Sequence, residues 1–164
     1  MKKILFNRKE QDTHTCPVCN EPQEDRNHMF TYKGPSAVEN RKKKLDILAK
    51  DLKDLDTSPA LAKTIIGGLN HAHNSTTPSV REYGHFDFGG GLTLRKIIED
   101  QTSIGWTNFL CGRWGVKWKE AQRRHYLRSK KKKSASLWII AILKKLILLQ
   151  NDLWQFRNAH YLHD

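Results

Sequence analysis

The strongest constraint on this chain is the apolar run of residues 137–149, which opens a helical pattern reaching towards His163. Trp138, Ile142, Leu146, Leu149, Leu153 and Phe156 follow at spacings of three and four, one face of an amphipathic helix. Ile139, Ile140, Leu143 and Ile147 widen that face until almost the whole first half is apolar, which calls for burial on several sides. Ser134 stands where a cap belongs. Lys144 and Lys145 interrupt the run, and it falls short of the roughly 20 residues that span a bilayer, so no membrane partner is expected. The 164 residues suit one domain, or one with a small appendage. At 38% hydrophobic residues the core should be modest, helped by five Trp, six Phe and four Tyr. Three cysteines are too few, and odd in number, for a disulfide scaffold. The first residues carry only three consecutive apolar positions, which makes no secretory signal, so an intracellular, cytoplasmic or nuclear location is expected.

Upstream, Ser36-Ala37-Val38-Glu39 fits a capping box for a helix with Leu45, Leu48, Leu52 and Leu55 on one narrow stripe. Ser58-Pro59 starts a second helix through Leu61, Ile65, Ile66 and Leu69, which Gly67-Gly68 should weaken or shorten. Residues 70–91 are rich in Gly, His, Asn, Ser, Thr and Pro and read as a long loop. A third helix is expected over residues 92–102. Another begins at Trp106, Phe109 and Leu110 and continues through Trp114 and Trp118 unless Gly112 and Gly115 break it. The expected class is mainly α: a bundle of about five helices over 36–164, with a flexible loop at about 70–91 and a small loop-rich unit over 1–35.

That first unit contains Cys16-Pro17-Val18-Cys19 followed by His28. Two thiolates two residues apart hold one Zn²⁺ from a tight turn, and an imidazole supplies a third ligand. His14 is the nearest candidate for a fourth, at an awkward one-residue spacing from Cys16, while His71, His73 or Cys111 would need tertiary contact. The alternative is a pair of reduced thiols that hold no metal.

The succession of this motif with Glu24-Asp25, a capped helix, Ile104-Gly105-Trp106, Phe109, Gly112, Trp118, Gln122, Tyr126, Trp154 and Arg157-Asn158 resembles the segment downstream of the polymerase in LINE-type retroelement polyproteins of microalgal genomes. In that family the knuckle ends with a Cys four residues after the His, a position held here by Tyr32. The resemblance implies a decayed copy whose zinc site is lost or weakened. It also implies catalytic polymerase residues elsewhere; this chain has no YxDD-type motif.

The net charge is +12 with His neutral. In residues 123–133 seven side chains are basic: Arg123, Arg124, Arg128, Lys130, Lys131, Lys132 and Lys133, interleaved with His125 and Tyr126. Such cations neutralise phosphate and release counterions, the main sequence-independent source of nucleic-acid affinity, and Tyr126 or a Trp could stack on an unpaired base. A second run, Arg41, Lys42, Lys43 and Lys44, lies in the early turns of a helix, where the helix dipole disfavours cations. Either run also reads as an ordinary solvated surface. The expected partner is RNA or DNA phosphate backbone, with little base preference.

Two other readings compete. Arg157-Asn158 and His163 resemble the Arg–polar–His motif of helical HEPN-type ribonucleases, in which His moves the 2′-hydroxyl proton and Arg stabilises phosphate charge. Six helical residues turn through roughly 600°, so the two would leave different faces. The broad apolar face at residues 139–149 would instead suit a protein-interaction module or a homo-oligomer. His71-Ala72-His73 is half a metal site with no acidic partner evident nearby, Cys111 reads as a packed thiol, and Gly89-Gly90-Gly91 lacks the Lys-Ser/Thr of a phosphate loop.

Overall fold

The computed structural model describes Cys16 and residues 28–161. They form α1 (His28–Thr31), α2 (Pro35–Asp54), α3 (Pro59–His73), α4 (Val80–Tyr83), α5 (Leu94–Ile104), α6 (Trp106–Leu110), α7 (Val116–Arg128) and α8 (Ala135–Tyr161). Among the described residues there is no strand, only an isolated bridge between Asp87 and Thr93. The chain is mainly α, as the periodicity requires. It divides into two compact units, one of residues 1–44 and 148–164 and one of residues 45–147, with α2 and α8 contributing to both.

The larger unit is built on an aromatic centre. Phe109 stacks on Trp114 with ring centroids 4.1 Å apart, and Trp106 and Trp118 approach Phe109 at 5.0 and 5.2 Å. Buried indoles need a partner for their N–H, and Trp106, Trp118 and Trp138 each have one, as does the half-buried Trp114. Trp106 donates to Thr102 Oγ1, Trp114 to the Phe109 carbonyl, Trp118 to Gln101 Oε1 and Trp138 to Thr57 Oγ1. Also buried in this unit are Leu61, Ile65 and Leu69 of α3, Leu94, Ile97 and Ile98 of α5, and Ile142 and Leu146 of α8.

Two buried glutamines tie this unit together. Gln101 is fully buried and uses its whole amide: Nε2 donates to the carbonyls of Gly105 and Arg113, and Oε1 accepts from Gly115 N–H and Trp118 Nε1. Gln122 does the same for the turn after α2, accepting from Ser58 N–H at 3.0 Å and donating to the Asp56 carbonyl at 3.0 Å. Tyr126 adds a hydroxyl bond to the Leu55 carbonyl at 2.7 Å.

Several boundaries differ from the sequence expectations. α3 runs unbroken through Gly67 and Gly68, because the missing Cβ atoms make room for the rings of Tyr83 and Trp106. The stretch expected as a loop at 70–91 is partly helical, since α3 continues to His73 and α4 follows. Its capping box is at Ser79 and Glu82, not at Ser36, where the helix has already begun at Pro35. Ser58 does occupy the N-cap of α3 with Pro59 behind it, but its side chain makes no cap bond. Gly112 (φ 80°) and Gly115 separate α6 from α7. Ser134 caps α8 as expected, accepting from Leu137 N–H at 3.3 Å. The face of α8 is less enclosed than its composition suggests: Leu137, Ile140 and Ile147 are exposed. No helix among the described residues is long and apolar enough to cross a membrane.

In the smaller unit, Cys16 is fully buried with Tyr32 and Ala37, against which Phe156 packs, and Lys44 pairs with Asp152 at 2.7 Å.

Candidate nucleic-acid interface

Residues 113–133 contain ten basic side chains and the single acid Glu120. The helical repeat of α7 sets what each can reach. Trp118, Ala121, Gln122 and Tyr126 form its buried face, which leaves the cations on the flanks and outside. Lys130, with φ 52°, ends the helix, and the chain turns through Lys131–Lys133 to the cap of α8.

The seven cations of residues 123–133 divide into those that hold the fold and those that face solvent. Arg123 makes a bidentate pair with Glu120, at 2.8 and 2.7 Å, and Arg124 bonds the same carboxylate at 2.7 Å. Arg123 first, then Arg124, hold the Glu120 carboxyl down at about 2. Arg124 also donates to the Gly89 carbonyl, and Arg128 lies 3.4 Å from the Asp87 carbonyl. Lys133 and Lys131 converge on Asp56, and the Lys133 bond in particular keeps that carboxyl below its ordinary range. Lys130 and Lys132 are exposed and meet no acidic side chain among the described residues, and Lys119 is likewise exposed. Burial pushes the His125 imidazole below its ordinary value, so it stays neutral at pH 7 and adds nothing to the charge.

The triple glycine lies against this edge. Gly89, Gly90 and Gly91 all have positive φ, at 91°, 54° and 75°, a succession that β-carbon-bearing residues rarely adopt. The loop turns carbonyls, not amides, towards the cations: Gly89 to Arg124 and Gly91 to Lys96 Nζ at 2.7 Å. It therefore anchors the arginines and is no phosphate cradle.

Tyr126 is not available for stacking. It is buried, and its hydroxyl is committed to Leu55. The indoles of Trp106, Trp118 and Trp138 are buried as well.

The second run is unlike the first. Arg41 is buried at 6% exposure, its Nη1 makes no hydrogen bond, and desolvation lowers its pKa. Lys42 and Lys43 are exposed, Lys43 pairing with Glu39 at 2.8 Å, and Lys44 is held by Asp152. Arg157 is buried, and its Nη1 donates to Asn158 Oδ1 at 3.1 Å; His163 lies outside the described residues. So do His14 and Cys19. Of the knuckle, Cys16 is buried in the small apolar cluster, and His28 packs edge-on to Tyr32 with centroids 5.0 Å apart. Among the described residues no group of three or more His, Cys, Asp or Glu is placed to hold a metal ion.

No protein-family model, curated protein or solved structure matches the chain.

Proposed function

We propose that this chain is a non-catalytic nucleic-acid-binding domain that grips phosphate backbone along the edge formed by the end of α7 and the turn into α8. The observation that carries the reading is the charge imbalance of residues 113–133, ten basic side chains against Glu120: five of the ten lie on α7, whose opposite face is buried, and four more lie in the turn that follows it. Partners of that edge are polyanions, because the field of clustered cations attracts them whatever their sequence. Arg128, Lys130 and Lys132 are the contact residues, being exposed and free of acidic partners among the described residues. Arg124, Lys131 and Lys133 shape the edge through Gly89 and Asp56. Tyr126 and the indoles of Trp106, Trp118 and Trp138 are buried and do not stack, and the domain takes single strands and duplexes with small sequence preference.

The reading agrees with the accessory role implied by the resemblance to a retroelement post-polymerase segment. Cys16, Cys19 and His28 make up the zinc-knuckle-like motif of that resemblance, whose fourth ligand position is Tyr32 here, so any zinc would need another ligand, His14 being the nearest by spacing. Metal analysis of purified protein decides this arm separately: about one zinc per chain supports it, and none removes it.

The test of the main arm is a titration of fluorescent single-stranded RNA and of duplex DNA at fixed salt. The triple variant Arg128→Gln, Lys130→Gln, Lys132→Gln should lose at least about tenfold in affinity for both, while Lys42→Gln, Lys43→Gln changes little. Equal loss from the two variants would locate binding in the general charge and not at this edge. Intact RNA at the end of the titration is expected; cleavage that Arg157→Ala abolishes would favour the ribonuclease reading.

A further inference from the structure

The pair His71-Ala72-His73 was short of an acidic partner in the sequence, and the fold supplies one. α4 places the Glu82 carboxylate 2.7 Å from His71 Nε2, and the turn after α3 places Thr76 Oγ1 2.7 Å from His71 Nδ1. An ionised carboxylate only accepts, so Nε2 carries the imidazole proton; in the neutral ring Nδ1 is then a bare lone pair within reach of the Thr76 hydroxyl, which also lies 3.3 Å from the His71 carbonyl as a second acceptor. Glu82 is itself held in place. Its other oxygen accepts from Ser79 N–H at 3.1 Å, and Tyr83 bonds to it as well. The His71 bond first, then that backbone bond, keep the Glu82 carboxyl below its ordinary value and ionised at neutral pH.

Beside this chain of bonds lies a half-open cleft of about 250 Å³, lined by Thr76, by the hydroxyls of Ser75, Thr77 and Thr107, and by the Trp106 ring. No charged side chain lines it. The Thr102 hydroxyl donates to the Ile98 carbonyl, but those of Ser75, Thr77 and Thr107 donate to nothing among the described residues.

We propose that Thr76, His71 and Glu82 form a nucleophile–base–carboxylate relay that cleaves small uncharged carboxylic esters seated in this hydroxyl-lined cleft. Hydroxyl, imidazole and carboxylate in hydrogen-bonded succession are the arrangement that activates an otherwise weak oxygen nucleophile. Thr76 Oγ1 attacks the ester carbonyl carbon as its proton passes to His71 Nδ1. The bond from that carbon to the alcohol oxygen then breaks, and His71 returns the proton to the departing alcohol. Water attacks the resulting Thr76 ester, giving its proton to His71. The acid leaves, and Thr76 takes the proton back. Ser75, Thr77 and Thr107 supply the cleft's hydroxyl donors for the oxyanion in this proposal. His71 is 22% and Glu82 45% exposed on their side chains, which lets water reach the acyl intermediate. The cleft excludes large or charged acyl groups by its volume and lining. Glu82 acts through His71 and is a positioning residue. This site is independent of the cationic edge.

The probe is p-nitrophenyl acetate, followed by release of nitrophenolate and by peptide mass mapping of rapidly quenched samples. Wild-type protein should carry one acetyl group on the peptide containing Thr76. Thr76→Ser should keep both the adduct and the turnover. Thr76→Val should remove that adduct and lower the rate at least about tenfold. Glu82→Gln should lower kcat with KM little changed, since the carboxylate acts on His71 and does not touch the ester, and Glu82→Asp should restore part of the rate; a merely structural contact would leave kcat in place. Circular dichroism confirms that each variant is folded. Acetyl groups confined to lysines, or equal turnover in wild type and folded Thr76→Val, would overturn the proposal and leave the three residues a surface staple between α3 and α4.

Discussion

Gly68→Ala sets two physical effects of opposite sign against each other. Gly68 is buried in the interior of α3, and Ala is the better helix former there by about 1 kcal/mol. Propensity alone therefore forecasts a more stable protein. The structure forecasts the reverse. A Cβ at this position would overlap Cζ3 of Trp106 and lie 2.7 Å from its Cε3. The indole cannot swing aside cheaply, being 5% exposed, bonded to Thr102 and packed against Phe109 and Trp118. Overpacking of a filled core costs about 1–3 kcal/mol, and an overlap with a ring fixed on three sides belongs at the upper end. Subtracting the propensity gain leaves a net loss of about 2 kcal/mol, which for a chain of this length lowers Tm by roughly 4–8 °C. Gly67→Ala is the control, because it meets the half-buried Tyr83 ring, which can turn outwards, and should shift Tm far less. Thermal melts followed by indole fluorescence and far-ultraviolet circular dichroism read both. A Gly68→Ala protein as stable as wild type, or more so, would refute the claim that this glycine exists to admit Trp106.

Further consequences follow from the polar ties. Gln101→Leu leaves Gly115 N–H, Trp118 Nε1 and the Arg113 carbonyl without partners, whereas Gly105 keeps its bond from Phe109. Two stranded buried donors at about 1–3 kcal/mol each predict a loss of about 2–6 kcal/mol in urea unfolding, and a loss below 1 kcal/mol would contradict the network. The Glu120 carboxyl is held at about 2 in the folded protein, against an ordinary 4.5, by Arg123 and then Arg124. A carboxylate depressed by folding stabilises above its unfolded value, so this contribution is present above about pH 4.5 and is lost as pH falls towards 2. Tm of wild type should thus fall more steeply over that window than Tm of Glu120→Gln, and parallel curves would show the pairs to be energetically idle.

The long final helix was legible because its stripe is dense and Ser134 marks its start; both depend on local spacing. The mainly helical class followed from the same periodicity. What the sequence hid depends on chain segments meeting from far apart. Gly67-Gly68 reads as a weak point until Trp106 and Tyr83 are seen in the space it leaves. Of two Ser-x-x-Glu patterns, Pro35 starts the first helix too early for Ser36 to cap it, whereas Ser79 has a free turn before it. Gln101 and Gln122 carry no pattern at all, since a buried amide looks like any other glutamine in a string of letters. The basic run of residues 123–133 was visible as charge, yet part of it is spent on Asp56 and Gly89, and nothing in a run of lysines distinguishes a tether from a contact. His71 lacked its acid for the same reason: Glu82 lies eleven residues on and arrives only when α4 folds back.

The central claim, that the α7–α8 edge binds phosphate backbone, is tested most directly by the salt dependence of single-stranded RNA binding. Each phosphate neutralised contributes about −0.7 to the slope of log K against log salt concentration. Lys130→Gln, Lys132→Gln should make the slope shallower by about 1.4, whereas Lys42→Gln, Lys43→Gln should leave it unchanged. A wild-type slope near zero, or the same slope in wild type and the Lys130, Lys132 variant, would contradict the account.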